Sequence, residues 1–137
     1  MKKKKIRALE IKPMNNPSVC YIEPTIKSFK EAVGANLTEY GEIEAKRIAH
    51  RVYAIFNKDR FLTSFEPNRQ IGDDIISGNI YIVAINEDRF PVSLSDEQIE
   101  LYSSMFYGIE VFDEIDVIDA NMSLFASRLC KDEESEI

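Results

Sequence analysis

A chain with a single histidine has few ways to do imidazole chemistry. His50 has no second histidine with which to share a metal, and no H-E-x-x-H motif is present. It follows Ala49 in a strand or turn and lacks the flanking signature that nucleophilic catalysis through a serine or cysteine would need, so a structural or solvent-exposed role is expected. Cys20 and Cys130, the two thiols, are far apart in sequence and give neither a disulfide framework nor a zinc set. Cys20 lies in an apolar stretch with no neighbouring cation, the setting of an inert buried thiol. There is no Walker A loop and no G-x-G-x-x-G, and five glycines leave little with which to cradle a phosphate. Adjacent carboxylates are common: Asp73-Asp74, Asp96-Glu97 and Asp113-Glu114. A catalytic pair needs a cleft that separates its two pKa values. A helix start explains Asp96-Glu97, and a solvated face explains Asp113-Glu114. The stretch Asp113–Asp119 lacks EF-hand spacing. No catalytic residue, metal ligand or cofactor is assigned, and the chain is read as non-enzymatic.

The most site-like local feature is Asn68-Arg69, a polar pair after Pro67 in a loop between two strands. An arginine there could grip a phosphate or carboxylate with two parallel hydrogen bonds. In the competing reading Arg69 pairs with Asp73 or Asp74 while Asn68 makes a turn. A module for a small nucleotide-like ligand would use Asn68, Arg69 and Arg89.

Charge supplies a second idea. The 137 residues carry 17 Lys plus Arg and 24 Asp plus Glu, a net of -7. Up to Arg69 the chain has 14 basic and 8 acidic side chains; beyond it there are 3 and 16. Lys2–Lys5 is a basic run, Lys46, Arg47 and Arg51 form a second basic cluster, and Asp132, Glu133, Glu134 and Glu136 make an acidic tail. The overall charge opposes tight binding to a polyanion, so no direct nucleic-acid binding is expected. Acidic side chains could instead occupy a basic groove on a protein, imitating nucleic acid. The candidates are Asp96, Glu97 and Glu100 on one helix and Asp113, Glu114, Asp116 and Asp119 on another.

The elements that would position these residues can be read from pattern. Lys5–Lys12 and Ser18–Glu23 read as two strands of a hairpin around Asn15-Asn16-Pro17. Thr25 caps a helix over 25–33, ended by Gly34. Ile43–Ile48 and Val52–Phe56 form a hairpin through a turn near Ala49–Arg51, with one amphipathic helix as the competing reading of the first part. Phe61–Phe65 is a short strand. Ile80–Ile85 is apolar throughout and belongs in the middle of a sheet. Ser95-Asp96-Glu97-Gln98 is a capping box with Leu94 and Ile99 as its staple, opening a helix over 95–107 with Ile99, Tyr102, Met105 and Phe106 on one face. Val111, Ile115, Ile118, Met122, Phe125 and Leu129 recur at helical spacing and predict an amphipathic C-terminal helix over roughly 112–129, although 109–118 also alternates in the manner of a strand. This seam could pair with a second copy, giving a homodimer through 111–129.

The expected fold is α+β: an antiparallel or mixed sheet of about five strands with three helices, in one domain. No apolar run approaches the ~20 residues needed to span a bilayer. Ile6–Ile11 is too short and polar for a signal peptide, so a cytoplasmic protein with no membrane partner is expected.

Three segments taken in order carry a resemblance: Asn68-Arg69, then Asp74-Ile75-Ile76-Ser77-Gly78-Asn79-Ile80-Tyr81-Ile82-Val83, then Ser93-Leu94-Ser95-Asp96-Glu97-Gln98-Ile99. Residues from about 5 to 107 resemble a small domain family of phages and mobile elements, a domain of unknown function (DUF3846). The resemblance implies a small α+β domain with no established catalytic residue, often carried by genes of host takeover or evasion of defence. Around that core lie a basic tail at 1–5, a helical extension at 108–130 and an acidic tail at 131–137. Together with the charge split it gives the functional expectation: binding and inhibition of a host protein with a basic surface, such as a defence nuclease or its regulator, through the acidic half.

Overall fold

The computed structural model describes residues 4–37, 41–59 and 66–112. β1 (Ile6–Ile11) and β2 (Ser18–Ile22) form the expected first hairpin, with Asn15 N donating to the Lys12 carbonyl in the turn. α1 (Ile26–Ala32) follows, its first turn capped by Thr25, whose Oγ1 accepts from Ser28 N at 3.1 Å. Gly34 takes φ +76°, a conformation that favours glycine and ends the helix. A 3-10 turn at Ala35–Leu37 leads on. Gly41 allows the chain to pass close to that turn, because a Cβ there would overlap the Ala35 carbonyl oxygen.

β3 (Ile43–Ala49) and β4 (Val52–Asn57) form the second hairpin, so the strand reading of 43–48 holds over the helical one. β5 (Pro67–Ile71) and β6 (Asp74–Ser77) make a separate two-stranded ribbon. β7 (Ile80–Ile85), β8 (Pro91–Val92) and α2 (Asp96–Met105) complete the described fold. The main sheet is antiparallel in the order β2-β1-β7-β4-β3, with β8 also on β7. β7 is central, as its unbroken apolar run requires.

The expectation of about five strands is corrected by these elements. The described residues form a six-stranded sheet, the extra β5–β6 ribbon and two α-helices. The third helix expected over 112–129 lies outside them apart from Phe112, as does the strand expected over Phe61–Phe65.

Strand alternation sorts the core into two layers. Leu9, Ile11, Val52, Ala54, Phe56, Ile80 and Ile82 face one side, where Leu94, Tyr102 and Phe106 of the α2 region and Ile71 and Ile76 of the ribbon cover them. Ile6, Ala8, Ile55, Tyr81 and Val83 face the other, where Phe29 and Val33 of α1 and Ala35 cover part of them. Among the described residues, one side thus has a helix and a ribbon, and the other a seven-residue helix and a short turn.

α2 begins with the expected capping box. Ser95 Oγ accepts from Gln98 N at 3.1 Å, and Gln98 Oε1 accepts from Ser95 N at 2.8 Å. Leu94 and Ile99 both join the core beside it. Met105 does not share the buried face of Tyr102 and Phe106; it is exposed, about 100° around the helix from Phe106. Ser95→Ala is expected to cost about 1 kcal/mol, read from urea unfolding, because Gln98 N loses the Ser95 Oγ acceptor while the bond from the residue-95 backbone N–H to Gln98 Oε1 remains.

Candidate functional site

Two places could carry function: the Asn68-Arg69 pair and an apolar cleft on the thinly covered side of the sheet. The pair is not in a loop. Both residues lie in β5, and both are buried. Asn68 Nδ2 donates to the Ile11 carbonyl at 2.7 Å and the Gly78 carbonyl at 2.8 Å. Arg69 Nε and Nη2 each donate to the Phe106 carbonyl at 3.3 Å, and Nη2 also reaches the Asn15 carbonyl at 2.8 Å. Nη1 donates to the Asn68 carbonyl and to its Oδ1, at 3.1 and 2.9 Å. A guanidinium has five N–H donors, and these five bonds use them all. Burial lowers the Arg69 pKa, opposed by the Glu110 carboxylate acting through space. Glu110 itself accepts from Gln70 N.

The pair is therefore a brace joining the β1–β2 turn, the β5–β6 ribbon and the C-terminal end of α2. Gly108 N, donating to Asn16 Oδ1 at 2.8 Å, closes the same junction. Arg69 does not pair with Asp73 or Asp74; Asp74 holds Lys46 at 3.1 Å. Nor does it join Arg89 around a ligand. Arg69 borders a cleft beside β3 and the end of α2, whereas Arg89 borders the apolar cleft on the other side of the sheet. Of the three residues expected to share a ligand, Asn68 and Arg69 stay together, and Arg89 is apart because it lies in the β7–β8 turn on the other side of the sheet.

The acidic candidates are only partly in view. Asp96, Glu97 and Glu100 are exposed on α2. Asp96 and Glu97 lie in its first turn, where they complement the helix dipole, and Asp96 pairs with Arg7 Nη1 at 2.8 Å. Asp113, Glu114, Asp116 and Asp119 lie outside the described residues. Of the basic cluster, Lys46 and Arg51 are paired with Asp74 and Glu87. His50 is exposed in the β3–β4 turn. Among the described residues no group of three or more His, Cys, Asp or Glu is gathered to hold a metal, and no helix is long and apolar enough to cross a membrane.

The second place is a cleft of about 740 Å³. Ile43 and Ala45 of β3, Tyr53 and Ile55 of β4, and Val83 and Ile85 of β7 form its floor. Ile26 and Phe29 of α1 make one wall; Arg89 and Phe90 from the β7–β8 turn, with Pro91 of β8, make the other. Two large apolar rim residues stand in solvent, Ile26 at 67% and Phe90 at 65% exposure. The β7–β8 turn is built to hold Phe90 there. Asn86 Oδ1 accepts from both Asp88 N and Phe90 N, and Asn86 N donates to the Phe90 carbonyl. Arg89 sits at φ +66°, a strained conformation for a non-glycine residue. Sequence reasoning missed this site. Its floor alternates like any strand, and only the tertiary placement of a short α1 leaves it open.

Two ionisable groups on this side of the sheet predict a loss of stability at alkaline pH. Burial and then Glu10 push the Cys20 thiol up to about 11. Burial, and the hydrogen bond Tyr81 donates to Glu10 Oε2 at 2.8 Å, also raise the Tyr81 pKa. A thiol whose folded pKa lies above its unfolded value of 9.0 contributes stability that is complete below pH 9 and is lost as pH rises toward 11. Urea unfolding is expected to weaken from pH 9 upward, with Cys20→Ala flattening the first part of that decline and Tyr81 sustaining it beyond pH 10.

A family model described as a domain of unknown function (DUF3846) matches residues 6–107. No curated protein and no solved structure matches the chain.

Proposed function

The chain belongs to the DUF3846 family, a domain of unknown function, and from that footing we propose that it is a non-catalytic capture protein of a phage or mobile element, holding an apolar segment of a host protein in the cleft beside Phe90. The observation that carries this reading is the unequal covering of one sheet. One side is closed by α2 and the β5–β6 ribbon. The other keeps an aromatic-lined cleft whose rim residues Ile26 and Phe90 are left in water. Exposed apolar surface gathered around a concavity is how protein-interaction sites are built. Few polar groups line the cleft, Thr25 and Arg89 among them. That suits an apolar side-chain cluster better than a nucleotide, whose base and phosphates would need several fixed hydrogen-bonding partners.

This reading moves the recognition surface from the acidic half to the cleft, and capture from host lysate separates the two. Immobilised full-length protein is compared with Phe90→Asp and with a chain in which Asp96, Glu97, Glu100, Asp113, Glu114, Asp116 and Asp119 are reversed to Lys. Cleft capture persists at high salt, survives the charge reversal and is lost in Phe90→Asp. Capture that disappears with salt and with the charge reversal, yet survives Phe90→Asp, returns the surface to the acidic residues.

A further inference from the structure

The two edges of the main sheet are finished differently. β3, at one edge, carries Glu44, Lys46 and Arg47, and its pairing with β4 is interrupted by a bulge between Arg47 and Ala49. Charge and irregularity of this kind discourage another strand from adding. β2, at the other edge, has neither. Ser18-Val19-Cys20-Tyr21-Ile22 holds no charged residue and no proline, and it pairs with β1 in unbroken register along its whole length. Alternate amides and carbonyls of an edge strand point away from its neighbour, and those of β2 make no backbone bond elsewhere among the described residues. Val19 and Tyr21 project from the same face of this edge, at 47% and 65% exposure.

We propose that β2 pairs antiparallel with β2 of a second copy, about a two-fold axis at Cys20, so that the sheet runs on through a dimer. The strand is its own best complement. Cys20 is its middle residue, so this register aligns all five residues and sets Val19 of each copy opposite Tyr21 of the other. That makes two aromatic–β-branched pairs on one face with no like charges opposed. The contact is isologous, the commonest form of assembly. It leaves the Phe90 cleft unused, since that cleft lies between α1, the β3–β4–β7 half of the sheet and the β7–β8 turn. The proposal is thus independent of the capture function.

Light scattering on the full-length protein across a dilution series tests it. The expected result is a dimer that Tyr21→Lys converts to monomer over the same range, a loss of at least tenfold in association, with the circular dichroism spectrum and urea midpoint retained. The register has its own readout. Directly opposed residues in antiparallel strands place their Cβ atoms about 4.5–5.5 Å apart, so a short bifunctional thiol reagent, applied to a Cys130→Ser chain at alkaline pH, should yield a covalent dimer through Cys20. A monomer at every concentration, a dimer untouched by Tyr21→Lys, or a dimer that Cys20 cannot cross-link overturns the proposal.

Discussion

Arg69→Met and Arg69→Lys are each expected to cost the fold about 3 kcal/mol or more, lowering Tm by about 10 °C. The guanidinium is buried and satisfies four oxygens at once: the carbonyls of Asn15, Asn68 and Phe106 and the side-chain oxygen of Asn68. Methionine leaves these oxygens without their donors, and each buried polar group so stranded costs about 1–3 kcal/mol. Lysine keeps the charge but not the plane. Its three donors radiate from one nitrogen and cannot span acceptors arranged around a flat fork. Asn68→Ala removes the bonds to Ile11 and Gly78 as well as one acceptor of Arg69, so the double variant should lose less than the sum of the two single ones. Arg89 is the control. It stands exposed at φ +66°, so Arg89→Gly should leave the urea midpoint unchanged or raise it. An Arg69→Met protein with an undiminished midpoint would show that the brace contributes little and would reopen Arg69 as a ligand residue.

The contrast between these two arginines also explains what could be read in the chain. Features whose partners are close in sequence were legible. Ser95 and Gln98 are three residues apart, Thr25 and Ser28 likewise, and Gly34 ends its own helix. The unbroken apolar run of β7 disclosed its central position because burial on both faces leaves no room for a polar residue. The ribbon was not legible. β5 opens on a proline and carries Asn-Arg-Gln, a composition that reads as loop when nothing nearby is seen to satisfy it. Its partners at Ile11, Asn15 and Phe106 are 37 to 57 residues away. A buried polar side chain is legible only through its acceptors, and these were brought together by the fold. The candidate site was hidden for a related reason. Every floor residue of the cleft appears as an ordinary inward-facing strand position, and no local pattern tells whether α1 will lie over it.

Phe90→Asp is expected to weaken partner capture by at least about a hundredfold, or about 2.7 kcal/mol, while leaving stability within about 0.5 kcal/mol. The two halves of this expectation come from the same feature, the exposure of the ring. At 65% exposure the ring contributes little to the folded core, so its replacement removes little packing. On binding, the ring would leave water against an apolar partner. An aspartate there would have to be desolvated against an apolar partner, a cost that falls on the complex alone. Phe90→Ala should show a smaller loss, since it removes contact area without burying a charge. Ile26→Asp, on the opposite wall, should repeat the Phe90→Asp effect, because the partner must touch both walls to fill a cleft of about 740 Å³. Arg89→Ala should change salt dependence more than affinity, as a rim charge does. Equal losses in Phe90→Asp and Ile26→Asp, with retained urea midpoints, place the partner between the two walls. A loss in only one of them means that the partner touches the rim without entering the cleft.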